Sequence, residues 1–337
     1  MMMKCINNTY ATVFSPLCQS NEAREWLPCK CKAAVFAANF AKAPFAWYAC
    51  GMRFLFSTGS LHTYGIDRCF AIAAQSGCDG IELMVDQRWD TRQPAYLREL
   101  SRRFHLPIVA IHAPFSMAPG WPVGQPAQIA QSVALAEAIG AEVVVHHLPL
   151  RLGYAAVSAG ARRFFFPLPG WNMEEGYRRW LLGDGYRRLQ ASTAVRLCIE
   201  NMPARRVGCR RLNLHHWNST EAIMRFDAIT MDTTHLGTWA LDAAAVYAAW
   251  GSRVQHIHLS NFQAGREHRR PEQGELRLDR LLALLVATGY PHNVTLELHP
   301  DALEAGQADG RIVDLLRASV DACRRWAAGA PAQAVAA

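Results

Sequence analysis

Residues 254–268, VQHIHLSNFQAGREH, open as an apolar strand yet carry His256, His258 and then His268. A buried strand gains nothing in packing from imidazoles, so their purpose depends on what else could meet them. The neighbouring apolar runs supply partners. IVAIH ends in His112, VVVHH in the pair His146 and His147, and RLCIE in Glu200. AITMD ends in Asp232, with His235 three residues on, and TLEL carries Glu297. Six consecutive runs therefore place an imidazole or a carboxylate at or near their C-terminal ends. If the runs are parallel strands of one barrel, those ends converge on a single mouth. Mixed nitrogen and oxygen donors suit zinc, manganese, iron or cobalt and suit calcium poorly. The expected cofactor is a divalent metal held by Glu200, Asp232, His258 and Glu297. One ion is expected, with room for two or three. His112, His146, His235 and His268 line the site or hold a further ion.

Two chemistries follow from such a set. Glu200 and Glu297 lie on strands three apart, so two metal-bound carboxylates could flank a sugar carbon. One would remove a proton and the other return it on the opposite face, while the metal stabilises the enediolate. The same ligands could instead hold metals that activate water against a phosphodiester. The ligand set alone leaves both open. Other residues receive lesser roles. His256 shares a face with His258 and should sit deeper, orienting it or filling the core. His147 should point away from His146 and pack outside. Glu82, in GIELM, could contact substrate or orient a ligand. His62 and Tyr64 are expected at the rim. His105, His215, His216, His292 and His299 are read as structural.

These residues must be positioned by strands alternating with helices. Apolar runs occur at 53–57, 79–84, 107–112, 142–147, 195–200, 228–232, 253–259 and 293–298. Between them, three-to-four spacing predicts helices over 66–76, 94–104, 125–139, 174–191, 219–226, 241–249, 278–288 and 311–326. Eight alternations over about 275 residues are the count and size of a single-domain (β/α)8 TIM barrel. A doubly wound sheet would need a glycine-rich phosphate turn after its first strand, and FSTGSLHTYG lacks that spacing. The connection 150–172, aromatic and arginine-bearing, is long enough to be a lid or to pack on the barrel.

The bulk of the 337 residues bounds the rest. The formal charge is +7, and the basic residues form only short clusters: REHRR, PARRVGCRR and ARR. That points weakly to an anionic partner, with a merely solvated face as an equal reading. All four lysines precede Met52, which excludes a Schiff-base or phosphate-loop lysine in the main body. Of ten cysteines, those beyond residue 51 are isolated in apolar surroundings, as in a reduced cytoplasmic protein. No run is long and apolar enough to span a membrane, so no membrane partner is expected; a homo-oligomer is allowed. Residues 1–51 lack clear periodicity and are expected to be a leader outside the barrel, which should cover 52–327. The tail 328–337 should be disordered.

In order, GIEL, IHAPF, VVVH, IENMP, MDTTH, HIHLSN, REHRRPEQGEL and TLELHP resemble the xylose-isomerase-like TIM-barrel superfamily over about residues 52–327. That grouping holds sugar phosphate isomerases and epimerases together with endonuclease IV. The epimerase resemblance implies one metal on Glu200, Asp232, His258 and Glu297, with the two glutamates as the proton-transfer pair. It also implies His235 as a substrate or metal contact. The resemblance to endonuclease IV implies a trinuclear zinc site that adds His112, His146, His235 and His268. Arg266 stands where that site needs an aspartate, and it resembles instead the substrate-binding arginine of epimerases. Asn261 departs from the family's usual aspartate. On this basis the first expectation is an isomerase or epimerase acting on a small sugar or sugar phosphate, with Glu82, His235, Arg266 and His62 touching substrate. An abasic-site endonuclease acting on nucleic acid is second. A barrel that binds metal or ligand without turnover is the third.

Overall fold

The computed structural model describes residues 52–115, 118–151, 153–159, 162–168, 174–207 and 210–329. The expected leader and all but the first two residues of the expected tail lie outside them. In chain order the strands are β1 (Arg53–Ser57), β2 (Gly80–Met84), β3 (Ile108–His112) and β4 (Val143–His147). A hairpin of β5 (Gly153–Ala159) and β6 (Arg162–Leu168) follows, then β7 (Arg196–Glu200). A second hairpin, β8 (Arg205–Val207) and β9 (Arg210–Leu212), precedes β10 (Ile229–Asp232) and β11 (Val254–Leu259). A third hairpin, β12 (Asn261–Gln263) and β13 (Arg266–Arg269), leads on to β14 (Asn293–Leu296). Strands β1, β2, β3, β4, β7, β10, β11 and β14 close into a parallel barrel, with β14 pairing back onto β1.

The helices are α1 (Ile66–Gln75), α2 (Pro94–Phe104), α3 (Gln125–Ile139), α4 (Glu175–Leu182), α5 (Asp184–Ala191), α6 (Thr233–Trp239), α7 (Ala243–Trp250), α8 (Leu278–Ala287) and α9 (Asp309–Ala328). The fold is the (β/α)8 barrel that the alternation predicts, with three local differences. The expected helix 174–191 breaks at Gly183 into α4 and α5. The expected helix 219–226 is reduced to one 3-10 turn, Ile223–Arg225. An unforeseen helix, α6, begins directly at the end of β10, because the Asp232 side chain accepts the backbone N–H of His235 and caps it. The connection 150–172 is not a plain loop: its backbone forms the β5–β6 hairpin.

Apolar packing is divided in two. The larger part lies between the strands and the helices, built from outward residues such as Phe54, Phe56, Ile81, Leu83, Ile111 and Ile257. A smaller cluster of Leu55, Val109, Ala110, Val143, Val145 and Cys198 fills the barrel interior beside β1, β3, β4 and β7. The interior beside β10, β11 and β14 is polar instead: Thr230, His256, His258 and Thr295 are all buried there, facing Glu82 of β2.

Candidate metal centre

Side chains alternate across a strand, so the interior cluster fixes which residues face inward. On β4, Val143 and Val145 point in, and therefore so does His147. His146 points out. The sequence reading had these two reversed. His146 lies outside the barrel wall, with Nδ1 2.9 Å from the Tyr177 hydroxyl and Nε2 3.4 Å from the Tyr186 hydroxyl. Tyr177 donates to the His147 carbonyl, so His146 Nδ1–H is the donor to Tyr177. Burial holds this imidazole neutral, pushing it down to about 3. His147, which sequence reasoning missed, lies in register with Glu200 on β7, its Nε2 3.3 Å from Glu200 Oε2.

Glu200 is the hub of the site. Its Oε2 faces His112 Nε2 at 3.4 Å and His147 Nε2 at 3.3 Å. Its Oε1 faces His258 Nδ1 at 3.2 Å and His235 Nδ1 at 3.4 Å. His258 Nδ1 is also 2.9 Å from Glu297 Oε2 and 3.8 Å from Asp232 Oδ2. Four donor groups result among the described residues, each with its ligand atoms within 4.8 Å of one another: His112, His147 and Glu200; Glu200, Asp232, His258 and Glu297; Asp232, His235 and His268; and, deeper in the barrel, Glu82, His256 and His258. Glu200 joins the first two, one oxygen to each, and Asp232 joins the second to the third.

Four of the histidines are pinned through one ring nitrogen, which leaves the other to coordinate an ion in place of any proton it carries. His112 Nδ1 lies 2.9 Å from the Ala113 carbonyl, and His235 Nδ1 lies 2.7 Å from the Asn201 carbonyl. His268 Nδ1 lies 3.2 Å from the Glu297 carbonyl, and His258 Nε2 lies 3.1 Å from Glu82. A carbonyl or carboxylate can only accept, so each of these nitrogens carries the proton. Fixing one nitrogen in this way orients the other for coordination. Glu82 is itself held by His256 Nε2 at 2.6 Å and by the Thr295 hydroxyl at 3.1 Å.

The electrostatics also call for a cation. Burial, and then the neighbouring Glu200 and Glu297 carboxylates, hold Asp232 well above the usual carboxylate range. Burial alone would lower His258, but Glu82, Glu297 and Glu200 around it raise it well above the usual imidazole range. Two buried oxygens, Asp232 Oδ2 and Glu297 Oε2, have no hydrogen-bond partner among the described residues. The 2.9 Å approach of Glu297 to His258 is too misaligned to be one. Carboxylates buried without donors cost several kcal/mol each on an order-of-magnitude basis. A divalent ion among these oxygens and lone pairs would remove that cost, so the donor set fits a metal.

The remaining expected contacts fall elsewhere. Glu82 is fully buried beneath the centre, where it orients His258 and is out of reach of substrate. His256 sits deeper still, as its spacing implied. Arg266 is exposed on the β12–β13 hairpin and approaches Asp301 at 3.6 Å, not the donor groups. His62 is exposed after β1, and Tyr64 is buried with its hydroxyl accepting the Gly306 N–H. The four described cysteines beyond residue 51 are free and buried. Among the described residues no helix is long and apolar enough to cross a membrane.

An uncharacterized protein of Mycobacterium leprae is 25% identical over 272 residues, covering 74% of this chain and 89% of its own length. A solved D-tagatose 3-epimerase-like protein superposes with TM-score 0.54 at 18% identity, covering 81% of this chain and 99% of that one. An AP endonuclease, family 2, from Brucella melitensis superposes equally well, at 0.54 and 14% identity, covering 74% of this chain and 93% of that one. At such identities the structural likenesses speak for the fold alone, and they include proteins named for both chemistries. The model of the xylose isomerase-like TIM barrel family matches residues 70–319, and the chain belongs to that family.

Proposed function

We propose that this barrel is a multinuclear, divalent-metal-dependent hydrolase of phosphate esters. The observation that carries the reading is Glu200, which presents one oxygen to His112 and His147 and the other to His258. That is the arrangement of a carboxylate shared by two ions. It works against the proton-transfer role that sequence reasoning placed first, because an acid/base glutamate needs one oxygen facing substrate. The second consideration is Arg266. It turns toward Asp301, so its charge does not oppose an ion at Asp232, His235 and His268.

In this reading His112, His147 and Glu200 hold one ion and Glu200, Asp232, His258 and Glu297 the other. Asp232, His235 and His268 offer a place for a third. When bound, the ions supply a nucleophilic water at neutral pH and Lewis-acid stabilisation of the phosphoryl oxygens. The chain's own groups do the rest. Glu82 keeps the Nε2 proton on His258 and so aims Nδ1 at the centre. Glu297, whose side chain is 14% exposed, is the carboxylate best placed to exchange a proton with substrate. His147, 25% exposed, lies against the Phe115 ring at 5.3 Å, and Phe115 reaches the surface. This pair forms an apolar wall at the entrance.

A ketose isomerase or epimerase is the second reading. Its support is that Glu200 and Glu297 both approach His258 Nδ1 within 3.2 Å, so two carboxylates surround one ion position. The test is direct. Chelator-stripped protein is reloaded separately with zinc, manganese and cobalt. It is then assayed for hydrolysis of bis(p-nitrophenyl) phosphate and for deuterium uptake from heavy water into D-fructose and D-tagatose. Metal-dependent hydrolysis without deuterium uptake is the expected result. Uptake without hydrolysis would overturn the first reading in favour of the second.

A further inference from the structure

The loops on one side of the mouth carry the entire charge excess of the chain. Residues 148–173 contain Arg151, Arg162 and Arg163 and no acidic residue. Residues 201–220 contain Arg205, Arg206, Arg210 and Arg211 and again no acidic residue. The chain has 35 lysines and arginines against 28 aspartates and glutamates. Setting aside these seven arginines leaves 28 against 28, so the net +7 resides in these two loops.

The fold brings the two loops together above the metal centre. They leave the C-terminal ends of β4 and β7, which pair through His147 and Glu200. The Arg151 N–H donates to the Leu214 carbonyl at 2.7 Å, and the His216 N–H donates to the Pro149 carbonyl at 2.8 Å. Arg162 stands opposite Ala159 beside the turn of the β5–β6 hairpin. Arg206, Arg210 and Arg211 are exposed on the β8–β9 hairpin, with no ion pair to another described residue. Arg205 is committed to Glu267 at 3.1 Å, which ties this hairpin to β12–β13. The other side of the mouth differs. The turn after β2 balances Asp86 and Asp90 against Arg88 and Arg92, and after β14 Asp301 and Glu304 meet Arg266 and Arg311 at 3.6 and 2.8 Å.

A one-sided cationic rim beside a recessed centre attracts and orients anions. Guanidinium groups suit phosphate oxygens in particular. A nucleic-acid duplex would cross the mouth from side to side and meet, after β14, arginines already committed to carboxylates. A compact ligand need touch only the β4–β7 side. Building on the hydrolase reading, we propose that the substrate is a small phosphodiester bearing a second phosphate or similar anionic group. The second group is held by Arg206 and Arg211, which stand opposite each other on one face of the β8–β9 hairpin, while the scissile phosphate reaches the metal centre.

The test uses the full chain and non-reacting probes, so that it does not depend on turnover. Adenosine 3′,5′-bisphosphate and adenosine 5′-monophosphate are titrated calorimetrically into metal-loaded protein at low and physiological salt. The bisphosphate should bind about tenfold tighter or more, the worth of one charge-assisted contact. Its advantage should shrink with salt and vanish in Arg206→Ala/Arg211→Ala. These side chains are exposed, so the variant should fold, and an unchanged thermal midpoint verifies it. Arg98→Ala, away from the mouth, should keep the advantage. Equal binding of the two probes, or an advantage that survives the double substitution, would overturn the proposal. So would tighter binding of a short DNA duplex than of the bisphosphate. If the bisphosphate behaves as expected but bis(p-nitrophenyl) phosphate is not hydrolysed, the rim stands and the hydrolase reading falls.

Discussion

The two ends of the barrel treat charge in opposite ways. At the N-terminal end, Arg53 meets Glu142 at 2.8 Å and Asn293 at 2.9 Å. Arg196 meets the same Glu142 at 3.5 Å and the His292 ring at 2.7 Å. These charges have partners and are partly solvated. At the C-terminal mouth, Glu200, Asp232 and Glu297 crowd together, and two of their buried oxygens lack donors. Paired, solvated charge contributes modestly to stability. Crowded, buried and unpartnered charge destabilises unless a ligand completes it. The same residue types therefore report scaffold at one end and a binding site at the other.

That contrast can be broken at several points. The largest effect is expected from Glu200→Ala. Losing the shared carboxylate should release both ions and lower metal-dependent hydrolysis by on the order of a thousandfold, measured as kcat on bis(p-nitrophenyl) phosphate beside metal content. Adjacent residues on β4 give the sharper comparison. His147→Ala should lose one ion and most activity while the thermal midpoint of the metal-free protein holds. His146→Ala should keep its ions yet lose about 1–3 kcal/mol of stability, because the Tyr177 hydroxyl loses its buried donor. Beneath the centre, Glu82→Gln should weaken metal affinity about 10- to 100-fold, read by competition with a chromophoric chelator. An unchanged affinity would remove Glu82 from any role in orienting His258.

Acid sensitivity tests the outer face of the same strand. His146 is held neutral by burial, with its value lowered to about 3 in the folded chain. The unfolded chain therefore binds the extra proton first as pH falls. The contribution is intact above about 6.5 and is lost at roughly 1.4 kcal/mol per pH unit below it, down to about 3. The urea midpoint of metal-free His146→Phe should fall less steeply between pH 6.5 and 4 than that of the unsubstituted chain. The smallest effect is expected at the opposite end of the barrel. Arg53→Ala removes a half-exposed pair and should cost about 0.2–1 kcal/mol with no change in metal content.

Much of this was legible in the sequence. Buried parallel strands read as continuous apolar runs, and the donors at their ends could be aligned without coordinates. The same continuity hid the register of β4. VVVHH is apolar on both faces, so nothing in it tells which histidine enters the barrel. Only its pairing with β7, which sets His147 beside Glu200, resolves it. Glu82 was read as a substrate contact or as the orienter of a ligand, and the choice between them was hidden because its partners lie on β11 and β14, far along the chain. The cap that starts α6 was present as Asp232 three residues before His235, but the aspartate was read only as a ligand. The arginine clusters looked scattered in sequence because two loops far apart in the chain, after β4 and after β7, were needed to bring them to one side of the mouth.

The central claim is that Glu200 is shared between two ions. Its most direct test is the metal content per chain of protein purified without added metal or chelator, compared with His147→Ala. Two or more ions in the unsubstituted chain, falling by one in the variant, is the predicted result. A single ion in both proteins would contradict the shared carboxylate and return the site to a mononuclear, proton-transferring centre.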